Sequence, residues 1–104
     1  MNIVFDQGTP APLRNALSDH SVSTAFELGW SSLENGDLLQ QAEGRFDLLV
    51  TTDQNLRYQQ NLTGRKLAIL VLPTTSWPEI KNHETEVAAA VKVITPGEYR
   101  ELRW

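Results

Sequence analysis

Lys66–Leu72 reads KLAILVL, six apolar residues in succession after a single lysine, closed by Pro73. A half-exposed strand alternates apolar and polar residues, so a run without alternation predicts a strand buried on both faces. Asp47–Thr51, DLLVT, repeats the pattern. Strands of this kind belong to parallel sheets with helices on both sides. The chain must therefore supply helices enough to cover two faces.

The rest of the sequence provides them. Asn2–Asp6, NIVFD, reads as a first strand, and Ser21–Ala25 as a weaker second one. Between them, Thr9 and Pro10 suit an N-cap and first helical residue for a helix to about Ser18. Asn35-Gly36-Asp37 opens a helix with Leu38, Leu39 and Ala42 on one face, ended by Gly44. A helix from about Gln54 to Leu62 leads into Lys66–Leu72. Ser76-Trp77-Pro78-Glu79 is a capping-box pattern, and Ile80, Val87, Val91 and Ile94 give the following helix an apolar face. Thr95-Pro96-Gly97 breaks it, leaving Glu98–Trp104 as a final edge strand. This alternation predicts one domain over residues 1–104, a three-layer α/β/α fold with a central, mostly parallel sheet of four to five strands. Periodicity leaves the strand order open.

Composition narrows the function. No apolar run approaches the roughly 18 residues that cross a bilayer, and MNIVFD lacks the basic start of a signal peptide. The absence of cysteine removes thiolate metal sites and fits a cytoplasmic setting. The formal net charge is −4 at pH 7. Affinity for nucleic acid rests mainly on phosphate neutralisation, so such a role needs a local basic patch, bridging metal ions or a partner. No glycine-rich phosphate loop or serine elbow is present.

The acidic residues are more informative. Ligands of open parallel sheets gather at the carboxyl ends of the strands. Asp6 ends the first strand and Asp53 lies just past the third. Asp37 occupies the first turn of a helix running back against the strands, which places that turn over the same edge. Glu27, in the loop after the second strand, is a possible fourth acid. A cluster of carboxylates calls for a hard cation. Mg²⁺ or Mn²⁺ takes oxygen ligands, keeps several waters, and needs only two or three carboxylates when a phosphate completes the shell. Such an ion polarises a phosphodiester and activates water, the chemistry of metal-dependent nucleases. Local structure also explains each aspartate singly. Asp53 suits the N-cap of a helix starting at Gln54, Asp37 suits the helix dipole, and Asp6 suits an Asx-turn into Gly8. None of these roles requires all three to share one edge.

Three segments together resemble the PIN-domain superfamily, specifically its short bacterial PIN-like proteins. They are IVFDQGTPAPLRNAL, NGDLLQQAEGRFD and LLVTTDQNLRYQQNL. The first is a strand ending in aspartate, the second an aspartate before a leucine-rich turn, the third a strand ending in threonine, any residue, aspartate. The likeness runs over about residues 1–72. It implies a Mg²⁺- or Mn²⁺-dependent endoribonuclease with Asp6, Asp37 and Asp53 as catalytic and metal-binding residues. It also implies an RNA substrate, a small antitoxin-like protein partner and a homodimer. Gln7, Gln54 and Asn55 stand where relatives often carry acids, so a scaffold that binds RNA or a partner protein without cutting is the alternative.

Arg57, Tyr58, Arg65 and Lys66 read either as an RNA groove, cations on phosphate and tyrosine on a base, or as a solvated helix face and strand entry. Arg14 is a further candidate for phosphate. His20 and His83 lack partners at metal-ligand spacing, and Trp30 and Trp77 read as packing anchors.

Overall fold

The computed structural model describes residues 1–104. Five strands, β1 (Asn2–Phe5), β2 (Ser21–Thr24), β3 (Leu48–Thr51), β4 (Ala68–Val71) and β5 (Tyr99–Glu101), form one sheet in the order β2-β1-β3-β4-β5. Every neighbouring pair is parallel, with Ile3 opposite both Val22 and Leu48. The alternation inside the apolar runs divides the core in two. Ile3, Phe5, Leu48, Val50, Ala68 and Leu70 face one way, while Val4, Leu49, Ile69 and Val71 face the other. The architecture is the expected three-layer α/β/α fold.

Helices α1 (Asn35–Ala42) and α2 (Leu56–Gln59) cover the second face through Leu38, Leu39 and Leu56. A 3₁₀ helix, Ala11–Leu17, covers the first, together with α3 (Trp77–Lys81) and α4 (Glu84–Val93). The β3–β4 and β4–β5 connections step the same way across the sheet but over opposite faces, so their crossovers have opposite hands. Right-handed connections are the strong rule. One of the two therefore departs from it, and the β4–β5 connection carries α3 and α4 to the face that the 3₁₀ helix would otherwise cover alone.

Several local expectations change. The first helix is 3₁₀ rather than α, with Pro10 and Pro12 removing N–H donors from its start. Thr9 does not cap it, because its hydroxyl is buried against the β-sheet edge. The helix after Asp53 is a single turn, Leu56–Gln59, since Gln60 is already extended. The helix after Ser76 is two helices. Ser76 Oγ accepts the Glu79 N–H at 3.4 Å, half of a capping box, but Glu79 turns its carboxylate to Trp104 Nε1, 3.4 Å away. The break falls at Asn82-His83, where the imidazole stacks on the Trp104 ring with centroids 4.3 Å apart. The final strand keeps only Tyr99–Glu101, paired with β4 alone.

Gly97 makes the turn into β5. Its φ is +75°, a Cβ added there would lie 2.8 Å from the Arg65 carbonyl oxygen, and its N–H donates to Lys66 O at 2.8 Å. Gly97→Ala is expected to destabilise the fold by about 1–2 kcal/mol, read as a lower midpoint in urea unfolding.

Candidate functional site

The winding direction of the sheet reverses between β1 and β3, the position where open parallel sheets form a crevice at their carboxyl edge. β1 stops at Phe5 and leaves Asp6 there, and β3 stops at Thr51 with Asp53 beyond it. The switch point therefore carries two of the three expected aspartates on adjacent strands.

One buried hydroxyl joins them. Thr51, 1% exposed, donates its Oγ1 proton to Asp6 Oδ2 and accepts the Asp53 N–H at 3.1 Å. The other Asp6 oxygen, Oδ1, lies 2.7 Å from Thr9 Oγ1, which also sits 2.9 Å from the Val50 carbonyl oxygen. Thr9 is likewise buried. A hydroxyl has one proton, so Thr9 shares it between the Asp6 carboxyl and the Val50 carbonyl, and protonation of Asp6 would let Thr9 accept from the carboxyl and give its proton wholly to Val50 O. Burial pushes the Asp6 carboxyl above the usual carboxylate range, the nearby Asp53 charge adds to this, and the hydrogen bonds from Thr51 and Thr9 oppose it. The expected Asx-turn into Gly8 is not formed. The turn closes one residue later, with the Thr9 N–H donating to Asp6 O at 3.2 Å.

Asp53 is fixed from both sides. Oδ1 accepts the Asn55 N–H at 2.9 Å, and Oδ2 accepts from Asn35 Nδ2. It therefore makes an Asx-turn, and Asn55 occupies the N-cap position assigned to Asp53 from sequence. Gln54 is held away from this cluster, donating Nε2 to Leu72 O at 2.5 Å and Thr52 O at 3.3 Å.

Asp37 lies in the first turn of α1, over the expected edge, but its side chain is exposed and does not join the pair. No group of three His, Cys, Asp or Glu side chains comes together to hold a metal ion. The reason is rotational. Asn35 is the α1 residue turned toward Asp53, and a residue two positions on stands roughly 200° around the helix. The fourth acid lines the same groove as Asp6 but is already paired. Glu27 binds Arg14 through both guanidinium ends, at 2.5 and 3.2 Å, and accepts the Thr24 N–H at 3.0 Å.

The Arg14 hydrogen bond and the Thr24 N–H hold the Glu27 carboxyl down at about 2. Its folded value is below its unfolded one, so its contribution is present above the ordinary carboxylate range and is lost as pH falls toward 2. A carboxylate NMR titration should give a Glu27 midpoint near 2, returning toward the ordinary range in Arg14→Ala.

Asp6, Thr9, Arg14, Thr24, Phe26 and Trp77 line a groove of about 820 Å³ along this edge. Arg57 and Tyr58 stand on α2, beyond Asp53, with the Arg57 guanidinium 4.8 Å from the Tyr58 ring centre. Arg65 donates Nε to Asn61 O at 3.3 Å, and Lys66 does not belong with them. Arg65 and Lys66 precede β4, and Lys66 lies beside Asn2 and Asp47 at the amino edge, across the sheet from Asp6. Trp30 packs edge-on against Phe46, centroids 5.9 Å apart, and Trp77 packs against the first core. Thr9, Asn35 and Thr51 are the site residues that sequence reasoning missed. Thr51, two residues before Asp53 in TTD, was the one available signal.

Asp6 lines the groove and Asp53 lies just beyond it on the neighbouring strand, two carboxylates joined through Thr51 at the sheet's carboxyl edge. Comparison with protein-family models, with curated proteins and with solved structures finds no match.

Proposed function

We propose that the protein is a divalent-metal-dependent endoribonuclease of the PIN-like kind, acting at the carboxyl edge between β1 and β3. The observation that carries this reading is the pairing of Asp6 and Asp53 through the single hydroxyl of Thr51 at the topological switch point. Asp6 and Asp53 would hold Mg²⁺ or Mn²⁺. The bound ion supplies the Lewis acidity that activates water against a phosphodiester. The protein's own groups set the geometry: Thr9 and Thr51 orient Asp6, and Asn35 and the Asn55 N–H orient Asp53. Asp37, exposed on the same edge, would not be a third ligand in this reading. A small antitoxin-like protein covering this edge would silence it.

A non-cutting scaffold is favoured by one observation: both Asp6 oxygens are already hydrogen-bonded and no third carboxylate joins the pair. Incubation with single-stranded RNA across a Mn²⁺ titration separates the two. The nuclease reading expects cleavage that requires added metal and disappears in Asp53→Asn. Wild-type protein that leaves RNA intact at saturating Mn²⁺, or a variant that cuts equally well, overturns it.

A further inference from the structure

We infer that Asn35 is a self-modification site: its side-chain amide hydrolyses to a carboxyl through an imide with Gly36, at a rate set by the Asn35–Asp53 hydrogen bond. The inference goes beyond the ribonuclease reading and does not depend on it. Asn35-Gly36 is the one Asn-Gly pair in the chain, and a glycine leaves the backbone nitrogen that follows an asparagine unshielded by a side chain. The pair opens α1, where the first N–H groups of a helix have no intrahelical acceptor. The Gly36 N–H donates to no group of the protein. Glu34, at the N-cap, is extended (φ −76°, ψ 164°) and makes no side-chain cap bond. Unwinding a single residue therefore takes Asn35 out of helical geometry and brings its Cγ within reach of the Gly36 nitrogen. Both residues are partly exposed, so water reaches them.

The chemistry needs only water. The Gly36 nitrogen attacks the Asn35 Cγ and forms an N–C bond, the Cγ–Nδ2 bond breaks, and Nδ2 leaves as ammonia with the Gly36 proton. Water then adds to the imide. Opening at Cγ leaves an aspartate at position 35, and opening at the backbone carbonyl leaves an isoaspartate, whose main chain runs through the former side chain. Asp53 holds this sequence back. Its Oδ2 accepts from Asn35 Nδ2, the only side-chain hydrogen bond that α1 makes, and this ties the first turn of the helix to the end of β3. Hydrolysis reverses the sense of the contact. A donor facing a carboxylate becomes a second carboxylate facing it, and like charges so placed repel. The first turn of α1 loses its tether, while Leu38 and Leu39 keep the rest of the helix on the second core.

The test is peptide mass spectrometry on the folded protein after incubation in mildly alkaline buffer, scoring amide-to-acid conversion and isoaspartate at each asparagine. Asn35 should convert ahead of Asn15, Asn55 and Asn61, which precede residues with side chains. Asp53→Ala should hasten the conversion by about tenfold, the factor by which losing one charge-assisted hydrogen bond shifts an opening equilibrium. Gly36→Ala should suppress it. The added methyl group meets Gln60 Oε1 at 3.0 Å, the end of a flexible side chain that can yield. Urea unfolding reads the consequence separately. Asn35→Asp should lower the midpoint. Combining it with Asp53→Asn exchanges donor and acceptor, leaves an oxygen for the Asn55 N–H, and should raise the midpoint again. No conversion at Asn35 in the folded protein, or an equal rate in Asp53→Ala, overturns the inference. So does a double variant no more stable than Asn35→Asp alone. Neither measurement reads RNA cleavage, so a failed nuclease assay leaves these outcomes standing.

Discussion

Asp6→Asn is expected to melt at a higher temperature than wild type at neutral pH and to lose Mn²⁺-dependent RNA cleavage. Both effects come from one charge. Asp6 is half-buried and titrates above the ordinary range because burial and the Asp53 charge disfavour its ionised form. In the unfolded chain it titrates normally. Between those two values the folded protein binds more protons than the unfolded one, so stability falls as pH rises through that window. Above it the fold carries the full cost of the buried charge. Asparagine has the same shape and none of the charge. Its amide N–H can donate to Thr9 Oγ1, freeing the Thr9 proton for Val50 O, while its oxygen accepts from Thr51. These are the bonds of the protonated aspartate. Relief of such a functional charge typically gives about 0.5–2 kcal/mol, a gain of several degrees in Tm for a domain of this size. Cleavage should fall at least about a hundredfold, the usual scale for removing one electrostatic group from a reaction. Thermal melts across pH provide the second check: wild type should lose its disadvantage as the pH falls through the window, and the two proteins should converge. A variant that is less stable than wild type at neutral pH would show that the charge of Asp6 is satisfied in the fold.

How much of this was legible in the sequence depends on the range over which each residue acts. The apolar runs around Leu49 and Ile69 placed the two central strands, because alternation is a local property that the sheet reads directly. Asp6 and Asp53 followed from strand ends for the same reason. Asp37 did not. Its turn of helix was placed correctly, but which way a residue faces depends on how α1 docks, and Leu38 and Leu39 settle that by facing the sheet. Glu27 was placed on the right edge, in the groove that Asp6 lines, but its pairing with Arg14 was not foreseen, because Arg14 comes from a different element and only the packed structure brings them together. The break at His83 has the same origin: helical periodicity runs straight through it, while the stacking partner Trp104 arrives from beyond β5. That α3 and α4 pack on the first face rather than the second is likewise a matter of docking, which no local pattern encodes.

Thr51→Val is expected to act in the opposite direction to Asp6→Asn on stability and in the same direction on cleavage. Valine matches the shape of threonine but removes the oxygen on which the pair of aspartates depends. Asp6 Oδ2 loses its donor and the Asp53 N–H loses its acceptor, both in partly buried surroundings. Leaving such groups unpaired costs about 1–3 kcal/mol, which should appear as a lowered midpoint in urea unfolding with an unchanged m-value. The loss also feeds back on Asp6, whose ionised form the Thr51 hydroxyl supports, so its carboxyl should move further upward and hold a cation less well. Cleavage should then need more Mn²⁺ to reach a given rate, a displacement of the metal titration rather than a fall in its plateau alone. Thr51→Ser keeps the hydroxyl and should restore the metal dependence while retaining a smaller stability deficit from the missing methyl group. If valine and serine behave alike, the hydroxyl is only filling space, and Asp6 and Asp53 are neighbours without being a unit.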